Sequence, residues 1–367
     1  MPGKSRSPAF NRSRIDRLRF SFSAIGNDAF LVSHLPNICY LSGFTGSAAL
    51  LLVERSRATL FADSRYTFQA REEVFSARIE IGSRGVNAVA AEALRKLRGR
   101  KRVAYEAAHM TVAQLAAVRQ AAGRHIRWID GGNAIEKLRA IKDRGELAVM
   151  REAATLISKV FEKNLAVIKP GVSELEVAAE LEYTMKQEGA SGPSFETIVA
   201  GGARSAWAHA RPTSNPLRKS QLVVLDQGAI LRGYCCDMTR TVFLGRASAK
   251  VRRLYEAVLA AQEAAKAAIR PGVTGEEVDA AARRTLKREN LAQYFTHSTG
   301  HGLGLEVHEM PRLGTGEKAV LEEGMVVTVE PGVYIEGLGG IRIEDDVLVT
   351  ADGCRDLTTA RREFLEL

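Results

Sequence analysis

Four acids stand where the surrounding sequence reads as apolar strand. Asp226 ends Leu222-Val223-Val224-Leu225, and Asp237 opens the run toward Thr241-Val242-Phe243-Leu244. Glu330 follows Val326-Val327-Thr328-Val329, and Glu344 closes Ile341-Arg342-Ile343-Glu344. A carboxylate buried in a strand is costly unless it is paired or bound to a metal. Asp226 and Asp237 are symmetric about a turn near Leu231 and Arg232, so an antiparallel hairpin would set them opposite, roughly 5 Å apart at Cα. Glu330 and Glu344 are likewise symmetric about Gly337. Two such hairpins meeting would gather all the carboxylates, which repel one another until divalent cations neutralise them. Paired metals about 3.5–4 Å apart are one solution to that problem. A nitrogen donor is available in Thr299-Gly300-His301-Gly302-Leu303-Gly304, where flanking glycines let the backbone come close and aim the ring. Four carboxylates, two divalent cations and a bridging hydroxide sum to minus one. Arg342, on the same strand face as Glu344, would restore the balance. An oxygen-rich set with one imidazole favours manganese, iron or cobalt over a thiolate zinc site. Taken singly, a glycine-flanked His is more often structural and an Asp more often caps a turn. The ordered set carries the argument.

Such a set needs two matched frameworks to hold it, and the sequence repeats itself. Ile168-Lys169-Pro170-Gly171-Val172-Ser173 returns as Ile269-Arg270-Pro271-Gly272-Val273-Thr274. Each copy follows an amphipathic helix; the first shows Leu147, Met150, Ala154, Ile157, Phe161 and Leu165 at helical spacing. Each copy then opens a new helix with a capping box, Ser173 with Glu176 and Thr274 with Glu277. Asp226-Gln227-Gly228 with Gly233 matches Glu330-Pro331-Gly332 with Gly337, and His209-Ala-Arg-Pro212 has a counterpart in His308-Glu-Met-Pro311. Two related α–β halves are predicted, with equivalent acids facing one another across a pseudo-two-fold axis. Upstream, Ala29–Val32 and Ala48–Val53 read as buried strands, Ser33–Asn37 and Gly43–Ser47 as turns, and Val86–Leu97 and Thr111–Ala121 as helices. The predicted organisation is therefore a small α/β domain over 1–136 and a catalytic domain over 137–367.

Composition narrows the setting. The 367 residues are 46% hydrophobic and 26% charged, ordinary for a globular protein of two domains. No apolar run reaches the roughly 18 residues that span a bilayer, so no membrane role is expected. Lys4, Arg6, Arg12, Arg14, Arg17 and Arg19 are followed by no apolar segment, which argues against a secretory signal. An Arg- and Ser-rich start would also suit a transit segment; a plain solvated N-terminus is the simpler reading. The formal charge of +9 is spread along the chain without a nucleic-acid motif, so no nucleic-acid partner is expected. Cys39, Cys235, Cys236 and Cys354 form no CxxC pair. They read as free thiols of a reducing cytoplasm.

The ordered motifs resemble the pita-bread metallopeptidases, the family of methionine aminopeptidase, aminopeptidase P and prolidase. The resemblance rests on Asp226-Gln-Gly, Gly233-Tyr-Cys-Cys-Asp237-Met-Thr-Arg-Thr241, Gly300-His-Gly-Leu-Gly304, His308-Glu-Met-Pro311, Glu330-Pro-Gly332 and Gly340-Ile-Arg-Ile-Glu-Asp345. Leu35-Pro-Asn-Ile-Cys-Tyr-Leu-Ser-Gly-Phe-Thr-Gly46 and Phe61-Ala-Asp-Ser-Arg-Tyr66 look like the creatinase-type domain that precedes the Xaa-Pro-cleaving members. Methionine aminopeptidases lack that domain, and creatinase lacks the metal ligands.

The resemblance implies hydrolysis of the bond before proline, in a dipeptide or at the start of a longer peptide. It implies two divalent ions, Mn2+ first, with Co2+, Fe2+ or Zn2+ as substitutes. Asp237 and Glu344 would bridge both; Asp226 would bind one, and His301 and Glu330 the other. A bridging hydroxide would attack, and Glu330 would carry its proton to the leaving nitrogen. His209 and His308 would steady substrate and oxyanion. His297 and Tyr334 would line the proline pocket. Arg312, four residues after His308, would pair with the carboxylate of a dipeptide, which leans the reading toward a dipeptidase. Cys235-Cys236 stand where a small residue is expected, and a packing role suffices for them. A homodimer is implied by the two-domain relatives. Two alternatives stand beside this: a methionine-aminopeptidase-like enzyme of the same fold, and a peptide-binding relative without activity.

Overall fold

The computed structural model describes residues 8–83 and 85–367. Lys4 and Arg6, part of the basic start on which a transit segment would rest, lie outside the described residues. The chain divides into two compact units, one ending at Arg139 and the other running from Ala140 to Leu367.

In the first unit α1 (Pro8–Ile25) leads into β1 (Ala29–Val32), α2 (Leu35–Ser42), β2 (Ala49–Glu54) and β3 (Ala58–Asp63). α3 (Thr67–Glu73), β4 (Arg78–Gly82), α4 (Val86–Arg95), β5 (Lys101–Tyr105), α5 (Val112–Ala122) and β6 (Ile126–Asp130) follow. The sheet order is β4-β3-β2-β1-β5-β6. β2 is antiparallel to both neighbours, and the other pairings are parallel. A largely parallel sheet is covered on both faces, and all of Ala29–Val32 is buried accordingly. The turn expected over Ser33–Asn37 is instead the entrance to α2. Pro36 sits in the first helical turn, where its fixed φ fits and its missing N–H costs nothing.

Through α6 (Ala134–Ala140) the chain enters the second unit, where a helix pair precedes strands twice over. The first half has α7 (Arg144–Asn164) and α8 (Glu174–Gln187), then β7 (Gly192–Pro193), β8 (Ile198–Gly201), β9 (Gln221–Gln227), β10 (Ala229–Leu231), β11 (Tyr234–Cys235) and β12 (Met238–Leu244). The second has α9 (Ala249–Ala268) and α10 (Gly275–Arg288), then β13 (Gly300–Gly302), β14 (Glu309–Leu313), β15 (Val326–Val329), β16 (Gly332–Ile335), β17 (Gly339–Arg342) and β18 (Asp345–Val349). β19 (Cys354–Asp356) and β20 (Leu365–Glu366) close the chain. The larger sheets run β20-β12-β9-β8 and β14-β13-β15-β18-β19.

The repeated linkers do the same work in both halves. Gly171 and Gly272 take φ of 95° and 90°, which glycine adopts without strain. Their amides donate to Leu217 O and Leu321 O, each at 2.9 Å. Both capping boxes form, Ser173 with Glu176 and Thr274 with Glu277. A third, Asp143 with Glu146, starts α7; each cap is worth about 1 kcal/mol. Met150, Ala154, Ile157 and Phe161 of α7 are buried as their spacing requires. They join Leu181, Val223, Leu225 and Val242 in one core. A second core is built from Val258, Ala261, Val278, Leu286, Val327 and Val347.

Candidate active site

The acids converge where the halves meet, though not with the expected register. β9 and β12 pair Asp226 with Thr239, not with Asp237. The turn falls at Arg232 and Gly233, both at positive φ (49° and 84°), one residue later than the symmetric guess. Two consecutive positive φ values suit the twist of a tight hairpin. Asp237 therefore lies diagonally from Asp226, in the gap between β11 and β12. In the second half Val329 pairs with Asp345 and Gly332 with Arg342. The register between those pairs sets Glu330 across from Glu344. Of the acids, Asp226 alone occupies a regular strand. Glu330 and Glu344 fill breaks, where Pro331 supplies no ladder N–H and the Glu344 amide turns to Thr239 O at 3.1 Å.

One donor atom each from Asp237, His301 and Glu344 lies within 4.8 Å of the others. His301 Nε2 is also 3.5 Å from Glu330 Oε1. The imidazole is oriented by Nδ1, which donates to Gly302 O at 3.0 Å and leaves the Nε2 lone pair facing the acids. Burial, helped by His308, lowers its pKa to about 4, so the ring is neutral at physiological pH. Asp226 Oδ2 accepts from Arg342 Nη2 at 2.6 Å. Asp226 Oδ1 and Asp237 Oδ1 are buried without a hydrogen-bond partner. Buried oxygens of that kind ordinarily face a partner such as an ion. The donor set fits divalent cations on these grounds.

Electrostatics say the same. Burial, then Glu344 and Asp226, push the Asp237 carboxyl well above its ordinary value. Burial, then Glu330 and Asp226, do so for Glu344. Burial raises Glu330 to about 8 against the pull of Arg342. A carboxyl with a folded pKa above its unfolded one binds its proton more tightly in the native state. Its stabilisation is complete below the unfolded value near ~4.3 and is lost as pH rises through the folded value. For Glu330 that window closes at about 8. The metal-free protein is therefore expected to lose melting temperature between about pH 5 and pH 8. Thermal scans in excess chelator check this; a flat or rising profile would contradict the crowding of charge.

The remaining predicted residues divide. His297 Nε2 meets Tyr334 Oη at 2.8 Å, and Arg342 Nη1 donates to the same hydroxyl at 2.6 Å. Tyr334 thus donates to Nε2, and Nδ1–H donates to Ser298 O at 2.8 Å. Burial and Arg342 lower His297 to about 4. The His308 ring packs edge-on to His301 with centroids 4.3 Å apart, while His209 and His308 both keep an exposed face. His209 contributes to the lowered pKa of His308, which places the two near one another. Arg312 is the exposed cross-strand neighbour of His301, so their side chains leave the same face. Cys236 Sγ lies 3.3 Å from Ala153 O, and burial raises both Cys235 and Cys236, keeping them thiols. Thr239 and Asp346 were missed. Thr239 Oγ1 donates to Glu344 Oε2 at 2.6 Å and accepts from Arg342 Nε, and Asp346 Oδ2 takes the Asp237 amide. Their only sequence signal is adjacency to the acids.

A repeated α/β scaffold with carboxylates and one imidazole buried at its seam is the frame of a metal-dependent hydrolase. The chain belongs to metallopeptidase family M24, whose model matches residues 148–351. Residues 14–141 match the Creatinase/Prolidase N-terminal domain. It is 40% identical over 354 residues to the uncharacterized peptidase YqhT of Bacillus subtilis, covering 96% of this chain and 100% of that one. The structure of the Xaa-Pro dipeptidase from Bacillus anthracis superposes with a TM-score of 0.93 at 38% identity, covering 97% of this chain and 100% of that one. The X-Pro aminopeptidase from Thermotoga maritima gives 0.88 at 36%, covering 96% and 99%. The protein is a metallopeptidase with a creatinase-type N-terminal domain and a pita-bread catalytic domain.

Proposed function

We propose that this enzyme hydrolyses Xaa-Pro dipeptides with two divalent cations, Mn2+ being the working metal. The observation that carries the reading is the convergence of Asp237, His301 and Glu344 at the seam of an M24 fold. Asp237 and Glu344 would hold both ions, Asp226 one, and His301 and Glu330 the other. When bound, the cations supply Lewis acidity and make water nucleophilic near neutral pH. Glu330 would take the proton from the attacking water and hand it to the proline nitrogen. His308 donates to the oxyanion, with His209 across the substrate. His297, with both nitrogens engaged, has only its ring face to offer the proline, beside Tyr334. A homodimer in the cytoplasm belongs to the same proposal, and the free thiols fit that compartment. Among the described residues no helix is long and apolar enough to cross a membrane.

The lean toward dipeptides rests on Arg312. It shares a face with His301, and no carboxylate among the described residues pairs with it. A free proline carboxylate would supply the missing anion. With Mn2+ present and products read by mass spectrometry, Ala-Pro is expected to be cut much faster than a longer Ala-Pro-Xaa-Xaa peptide. Arg312→Ala should lower kcat/KM for Ala-Pro by about tenfold or more, mostly through KM. Efficient release of alanine from the longer peptide, unchanged by Arg312→Ala, would assign the enzyme to aminopeptidase P instead.

A further inference from the structure

Glu309 follows His308 but turns inward. His308 is exposed, whereas the side chains of Glu309 and Lys142 keep 5% and 1% exposure. Lys142 Nζ donates to Glu309 Oε2 at 3.2 Å, and Glu309 Oε1 accepts the Glu306 amide at 3.1 Å. One carboxylate thus closes the 304–309 loop on itself and fastens it to Lys142. Gly304, the last glycine of the His301 motif, makes the room: a Cβ there would lie 2.8 Å from both carboxylate oxygens. Both ends of the clamp are tied to the site. Gly304 O takes the Cys235 amide at 2.7 Å, two residues before Asp237. The Lys142 amide donates to Gly324 O at 2.9 Å, and Ile141 bridges Met325 at the entrance to β15, the strand that delivers Glu330. Charges this deep are poorly tolerated apart, so the loop has one low-energy seating. His308 rides on that loop.

We propose that the buried Lys142–Glu309 ion pair sets the position of His308, making Lys142 and Glu309 positioning residues for the hydrolysis. The inference rests on His308 acting as the oxyanion donor. The test is a double-mutant cycle on the Mn2+-loaded enzyme with Ala-Pro as substrate. Glu309→Gln is expected to lower kcat about 30-fold, with metal content unchanged and KM within about twofold. In the His308→Ala background the same change should alter kcat by less than about twofold. Hydrogen–deuterium exchange should show lost protection over 304–309 in Glu309→Gln, with or without metal. Equal losses in both backgrounds, or loss of metal on Glu309→Gln, would make the pair merely structural and overturn the proposal. If His308→Ala alone leaves kcat intact, the oxyanion assignment itself falls and takes the positioning role with it. If His308→Ala is slow but the two losses multiply, only the positioning role falls. Should Glu309→Gln not fold, Glu309→Asp, which keeps the charge but withdraws it by one methylene, completes the same cycle.

Discussion

Asp237→Asn is expected to lower turnover about a thousandfold or more and to strip the protein of metal while leaving it folded. The carboxylate is pressed from several sides. Burial, then Glu344 and Asp226, raise its pKa, His301 Nε2 lies 3.8 Å from Oδ2, and Oδ1 has no hydrogen-bond partner. Cations relieve all three conditions at once. An amide offers one neutral oxygen and points a donor where a cation should sit, so bridging is lost. The backbone tie to Asp346 at 3.0 Å survives the change, so the chain keeps its local path. The same substitution removes a charge that the metal-free fold tolerates badly. The variant without metal should therefore melt no lower than the metal-free parent at about pH 8. Elemental analysis per chain, kcat and a melt decide it. Full activity of the parent after dialysis in excess chelator would end the two-metal reading.

His308→Ala is expected to cost about 100-fold in kcat while both metals stay bound. Partial burial and His209 lower the His308 pKa, so the ring is neutral at working pH and still carries one N–H. A donor aimed at charge that develops only in the transition state affects kcat more than KM. The ring touches His301 edge-on but is not among the converging donors. Metal content therefore separates the possible roles. A variant that loses its metals would move His308 into the ligand set.

Much of this was legible because the repeat is written twice. Two Pro-Gly links, each followed by Ser or Thr and then Glu, announce two helix starts in equivalent places, and local hydrogen bonding settles such features. Glycine-flanked His301 and the strand-borne acids were legible for a related reason: a costly residue in a cheap context asks for an explanation. What failed was register. The symmetric turn put Asp226 opposite Asp237, but backbone sterics at Arg232 and Gly233 fix the turn, and they are decided by φ rather than by spacing. The start of α2 was misread because Pro36 punctuates a loop and opens a helix equally well. The supports were the least visible. Lys142 and Glu309 are 167 residues apart. Arg342 was legible as a charge partner, but its bond to Asp226, 116 residues away, was not. Thr239 reaches Glu344 across 105. No periodicity connects residues that meet only when two halves close.

The split of the donors between two halves has a thermodynamic corollary. Asp226 and Asp237 come from the first α–β half, while His301, Glu330 and Glu344 come from the second. On the proposed ligand set neither half owns a complete ion site, so metal affinity depends on their docking. Linkage makes that reciprocal: bound ions hold the halves together, and a change that populates the undocked form weakens the grip on the ions by the fraction it leaves undocked. A packing defect at Leu286 or Phe161, remote from any chemistry, would raise the metal requirement once it makes the undocked form a major species. Metal scarcity would then silence a chain that saturating metal keeps docked and active.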